Sequence, residues 1–128
     1  MYKILIIAHG TQKAETDDLE FIVKELANLL NKKVYDVQYA YLRYGNPSVD
    51  EVISSLKEEN IKKIIIHPFF LSSGIHVAFD IPKIIERIQK EYSDIEVLCT
   101  KPLGKSKELV YIIKNLIEEV HQTKNEKH

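Results

Sequence analysis

The sequence predicts an α/β fold: an open, parallel, four-stranded sheet in the flavodoxin-like order 2-1-3-4, with helices on both faces. Three observations predict it. Four short apolar runs alternate with four longer segments of helical period, which is the strand–helix repeat of a layered α/β domain. The runs are continuously apolar rather than alternating, as expected for strands buried on both sides. A chain of 128 residues is too short for a larger doubly wound sheet.

The first run covers residues 2–8. A helical stripe follows, with Leu19, Ile22, Val23, Leu26, Leu29 and Leu30 at three- and four-residue spacing and Glu20, Lys24 and Glu25 opposite. The charged stretch Asn31-Lys32-Lys33 introduces the second run, residues 34–42. Val49, Val52, Ile53 and Leu56 make the second helical stripe, and Ser48, after Pro47, is its N-cap. The third run, residues 61–70, is the densest apolar sequence in the chain. Ile81, Ile84, Ile85 and Ile88 form the third stripe, with Asp80 as N-cap and Pro82 tolerated in the first turn. The fourth run, residues 95–99, is the shortest. Leu109, Ile112, Ile113, Leu116, Ile117 and Val120 make the last stripe. One domain is expected over residues 1–120, with 121–128 a polar tail that frays.

Composition narrows the function classes. Apolar residues are 45% and charged residues 29%, enough for a real core, and the formal net charge is −1. That balance disfavours nucleic-acid binding by phosphate neutralisation and a basic membrane surface. A lone cysteine, Cys99, excludes an internal disulfide and a cysteine-rich zinc site, and suits a cytoplasmic setting. The first apolar run is cut off at once by His9-Gly10-Thr11, so neither a leader nor a membrane span is expected.

In open α/β sheets ligands bind beyond the carboxyl ends of the strands, where the strand order reverses. With order 2-1-3-4 that point lies between the first and third strands. Two loops meet there, residues 8–11 and 71–76, and each brings a histidine: His9 and His76. Neutral imidazoles bind divalent cobalt, nickel, iron and zinc, and take a proton near neutral pH. Gly10 and Gly74 allow close approach of a flat ligand. A single loop histidine is more often a cap; a pair at the switch point reverses that preference.

Other features carry less. His67, inside the third run, reads as a buried, hydrogen-bonded residue, and His121 and His128 as solvated. Ser72 and Ser73 lack the GxSxG context of a nucleophile. Neither GxGxxG nor a Walker A sequence occurs. Tyr39, Tyr41 and Tyr44 suit packing or an interface, or the flank of a planar ligand. Arg43 suits a ligand carboxylate or a plain surface charge.

Two segments carry a family resemblance: IIAHGT at residues 6–11 and PFFLSSGIHVAFDIP at 68–82. The chain resembles the small, single-domain CbiX-type chelatases of the class II family, which insert a divalent metal into sirohydrochlorin. The resemblance implies a chelatase-like α/β fold, catalysis and metal binding by His9 and His76, and a homodimer, because larger class II chelatases join two such domains. It implies a substrate pocket shaped by Gly10, Thr11, Phe70, Leu71, Ser72, Ser73 and Gly74, with Asp80 capping the helix that supports it. The metal is then a substrate, cobalt first with nickel and iron as alternatives, in cobalamin-type tetrapyrrole biosynthesis; no permanently bound cofactor is expected. One departure stands out. Relatives carry a glutamate after the second strand in F-L-E-x-x-x-P-S, whereas this chain reads YLRYGNPS at 41–48, with Arg43 in that place. Arg43 then holds a substrate carboxylate, or its lack of acidity leaves a non-catalytic tetrapyrrole or metal carrier. A flavodoxin-like domain for a small phosphate is the third reading, without a phosphate-cradling loop to support it.

Overall fold

Strand β1, Lys3–Ala8, is buried along its whole length, as its KILIIA sequence requires. It forms the centre of a four-stranded parallel sheet with β2 (Val37–Tyr41), β3 (Lys63–Pro68) and β4 (Glu96–Cys99), in the order β2-β1-β3-β4. The computed structural model describes residues 2–10, 19–33, 36–71 and 75–126, with backbone alone at 75–78 and 124–126. Helix α1 is Leu19–Leu29, α2 is Val49–Ser55, α3 is Ile75–Glu91 and α4 is Lys107–Glu126. Short 3-10 turns, Leu56–Glu58 and Leu103–Lys105, extend α2 and precede α4.

The register assigns the two faces. Ile4 and Ile6 lie beside Ile65 and His67, and Ile65 beside Leu98; Leu5 lies beside Ile66, and Ile66 beside Cys99. Side chains at registered positions point the same way, so each set marks one face. Helix α1 covers the first face with Leu19, Val23 and Ala27. Helices α2 and α3 cover the other with Val52, Ile53, Ile81 and Ile88. Ser48 caps α2 as expected: its Oγ accepts the Glu51 amide at 3.1 Å. At the floor of the sheet the buried Lys3 ammonium is paired with Glu59.

Three details differ from the sequence reading. Helix α3 opens at Ile75, so Asp80 lies inside it and is not its cap, and Pro82 is an interior proline. An Asp-Ile-Pro segment fits a helix start, but the preceding residues are helix-compatible and keep the phase that buries Ile81 and Ile88. Pro82 is exposed, so the carbonyl it leaves without a helical donor is within reach of water. In α1 the last turn runs past the sheet, leaving Leu29 82% exposed and Leu30 out of the core as well. Helix α4 departs furthest. It continues through Glu126, where a frayed tail was expected, and among the described residues its main packing is against the 3-10 turn before it. Ile112, Ile113, Leu116, Ile117 and Val120, the stripe expected to cover the sheet, are 49–68% exposed. The matching strip of sheet, Ile65 and Leu98 on the α1 side of β3 and β4, is correspondingly open, with Leu98 43% exposed. Among the described residues no helix is long and apolar enough to cross a membrane.

Candidate functional site

The exits of the four strands are stitched together by main-chain hydrogen bonds. Leu42 N donates to Ala8 O at 2.9 Å and Arg43 N to His9 O at 3.2 Å, tying the end of β2 to that of β1. Phe69 N donates to Ile7 O at 2.8 Å, tying β3 to β1 from the other side. Thr100 N donates to Ile66 O at 2.9 Å and Gly104 N to Phe70 O at 3.0 Å, which adds β4 and the turn beyond it. A Cβ at Gly104 would lie 1.9 Å from the Leu71 carbonyl oxygen, so only glycine lets these chains come so close. That contact has no motif around it in the sequence and went unread there.

His9 follows β1 directly and is half-buried. His76 lies in the first turn of α3, which follows β3, the strand next to β1. Both positions therefore stand at the carboxyl edge, on either side of the switch point. The His76 side chain lies outside the described residues, as do Thr11, Ser72, Ser73 and Gly74 entirely.

The His9 ring has a defined polarity. Its Nδ1 is 3.1 Å from the Gly10 carbonyl oxygen, which can only accept. Nδ1 therefore donates, which in the neutral ring leaves the lone pair on Nε2, one of the two nitrogens through which an imidazole coordinates a metal. Gly10 makes the turn possible. Its φ is +91°, and a Cβ there would sit 1.7 Å from the Tyr44 carbonyl oxygen.

Around this edge the surface is partly apolar. Leu71 is 73% exposed, while Phe70 is half-buried against the α2–α3 core. Exposed Tyr44 and Phe79 belong to the same end of the molecule. Phe79 was missed in the sequence, and its signal was there: it lies off the Ile81, Ile84, Ile85, Ile88 stripe, so an aromatic ring is left facing water. Tyr39 and Tyr41 instead pack edge to face, with centroids 5.7 Å apart, beside the α1 core.

Beside the edge, between the β2 exit and α3, runs a groove of about 280 Å³ flanked by Arg43, Asp50, Asp80, Lys83 and Arg87. Arg87 is engaged by Asp50 and, through Nε at 3.1 Å, by Glu91, and these hydrogen bonds push its pKa upward. Arg43 and Lys83 make no side-chain hydrogen bond or ion pair among the described residues. Lys83, like Gly104 and Phe79, had not been singled out in the sequence. A larger cavity, about 540 Å³, lies along the outer edge of β2 and away from the histidines.

The remaining titratable groups belong elsewhere. His67 is hydrogen-bonded, as read from the sequence, but only half-buried; its Nδ1 lies 2.7 Å from Thr100 Oγ1. That hydroxyl donates to the Lys101 carbonyl at 3.0 Å, so it accepts from the His67 ring. Burial holds the His67 pKa below the usual imidazole range and pushes the Cys99 thiol up. His121 is exposed on α4, and His128 lies outside the described residues.

The sequence profile of the CbiX family matches residues 3–120. A sirohydrochlorin cobaltochelatase from Sulfurisphaera tokodaii is 30% identical over 120 residues, covering 94% of each chain. A chloroplastic sirohydrochlorin ferrochelatase from Arabidopsis thaliana is 29% identical over 117 residues, covering 90% of this chain and 51% of the plant protein. The chain thus spans about half the length of that relative. Among solved structures, a CbiX protein of cobalamin biosynthesis from Marinobacter aquaeolei superposes with a TM-score of 0.75 at 24% identity. It covers 96% of this chain and 99% of its own, a likeness of fold.

Proposed function

Because the chain belongs to the CbiX family, we propose that it is a sirohydrochlorin metal chelatase. One observation supports this above the others. His9, whose ring nitrogen Nδ1 is turned to the Gly10 carbonyl, and the backbone position of His76 flank the point where the strand order reverses. The metal is cobalt in the first instance, with iron and nickel as alternatives; imidazole affinity rises from iron through cobalt to nickel, so affinity alone does not select cobalt. The relatives divide on the metal, one being named for cobalt and the other for iron. The pathway is cobalamin-type, and the setting is the cytoplasm.

In this reading His9 and His76 receive the divalent ion from water and present it to one face of the macrocycle. Leu71, with Gly10, Thr11 and Ser72 to Gly74, bounds the pocket, and Phe70 supports it from below. As metal–nitrogen bonds form, the pyrrole N–H bonds break, and a histidine or water carries the protons away. The net change exchanges one divalent cation for a pair of protons. The metal is substrate and leaves with the product.

The working unit is a homodimer. Burying an apolar side chain the size of Leu or Ile is worth about 1.5–3 kcal/mol, and α4 leaves four such side chains largely exposed, Ile112, Ile113, Leu116 and Ile117, with Val120 beside them. The occupant that fits is a second copy, because each copy also presents the open strip at Ile65 and Leu98. The plant relative, about twice as long, has room for two such units in one chain.

The test is anaerobic insertion of cobalt, iron or nickel into sirohydrochlorin, followed by its visible spectrum. Wild-type protein should exceed the uncatalysed rate, and the His9→Ala, His76→Ala variant should fall to that rate while its melting curve stays cooperative. Turnover that persists in the double variant would sink the proposal. Macrocycle binding without insertion of any metal would make the protein a carrier.

A further inference from the structure

We propose that the groove between the β2 exit and α3 seats a peripheral carboxylate of the macrocycle through Arg43 and Lys83, and so selects carboxylate-rich tetrapyrroles. The inference rests on the chelatase reading and extends it to how the substrate is recognised and turned.

The charge in the groove is unbalanced at one place. Five charged side chains border it, but Arg87 is already held between Asp50 and Glu91, so that corner has its cation fully engaged and carries a net charge of −1. What remains is Arg43 and Lys83 against Asp80, a surplus of one positive charge. Neither cation has a hydrogen-bond or ion-pair partner among the described residues. Leu42, Val49 and Ile84 complete the lining, so an anion entering it is partly shielded from water.

Position fits the size of the ligand. The Arg43 amide is bonded to the His9 carbonyl, so the arginine starts from a point fixed relative to that histidine. Lys83 lies seven residues after position 76 on one helix, which is two turns along the same face and about 10 Å. A macrocycle centred at the histidines would carry its rim, where the acidic side chains are, toward these cations. The planar guanidinium takes a carboxylate by two parallel hydrogen bonds, and the lysine adds a point charge. An acid at position 43 would repel the same group.

Binding is measured without metal, by quenching of macrocycle fluorescence, for sirohydrochlorin, for uroporphyrin with its carboxylate-rich rim, and for carboxylate-poor deuteroporphyrin. Arg43→Gln and Lys83→Gln should each raise Kd for the first two about tenfold and leave deuteroporphyrin unchanged. Arg43→Lys should recover part of the loss, Asp80→Asn should tighten binding, and added salt should weaken wild type more than the double variant. In turnover the loss should fall on KM. Inorganic phosphate at millimolar concentration should not compete; full competition by phosphate would mark a general anion site and overturn the proposal. An unchanged Kd in the folded double variant, with wild-type insertion intact, would also overturn it and leave the chelatase reading standing. A wild-type protein that neither binds sirohydrochlorin nor inserts metal would remove both.

Discussion

Gly10 and His67 show what a single position can fix. At Gly10 the positive φ and the nearby Tyr44 carbonyl leave no room for a side chain. Gly10→Ala should cost at least about 1 kcal/mol, seen as a lower melting temperature. It should slow metal insertion as well, because the displaced turn carries His9. At His67 burial disfavours the charged ring. The folded state therefore takes up a proton less readily than the unfolded chain. Stability is fully present above the unfolded imidazole pKa, about 6.5, and declines as pH falls through that value toward the lower folded one. Melting temperature should drop between pH 7 and pH 5, and His67→Gln should flatten that slope; an equal slope in the variant would assign it to other groups. His9, Gly10 and His67 were readable in the sequence because a loop histidine, a strand end and an apolar run have local signatures. Gly104 and Lys83 were not, since their roles arise from the Leu71 backbone and from Arg43, both remote in the chain.

Among the elements, strands and caps followed local rules while helix α4 did not. The apolar runs and the Ser48 cap are decided by neighbours in sequence, and each strand appeared within its expected run. Asp80 and Pro82 misled because a cap followed by proline fits a helix start and, when the proline faces water, a helix interior too. In α4 the three- and four-residue spacing identified the apolar face correctly. Periodicity specifies that a face must be covered and says nothing about whose chain covers it. The expected outcome is a solution mass of twice the chain by light scattering. Ile113→Glu with Leu116→Glu should give a monomer with a lower melting temperature, since both positions are exposed in the isolated chain yet apolar. A wild-type monomer across micromolar concentrations would overturn the dimer.

At the scale of the whole molecule, strand order placed the site. Four parallel strands in the order 2-1-3-4 have one reversal, and the histidines read from the sequence follow the two strands that flank it, His9 directly and His76 at the start of the next helix. That much followed from counting elements. The groove beside it did not, because it depends on how far α3 stands from the β2 exit, a matter of packing. One feature of this frame has a longer reach. The strand exits are joined through amide and carbonyl groups, Leu42 to Ala8, Arg43 to His9 and Phe69 to Ile7. Such a bond is indifferent to the side chain its donor carries. Position 43 is therefore free to change from acid to base over evolutionary time without moving His9; under the proposed function, preference for one macrocycle over another can then drift by single substitutions around a histidine that stays where it is.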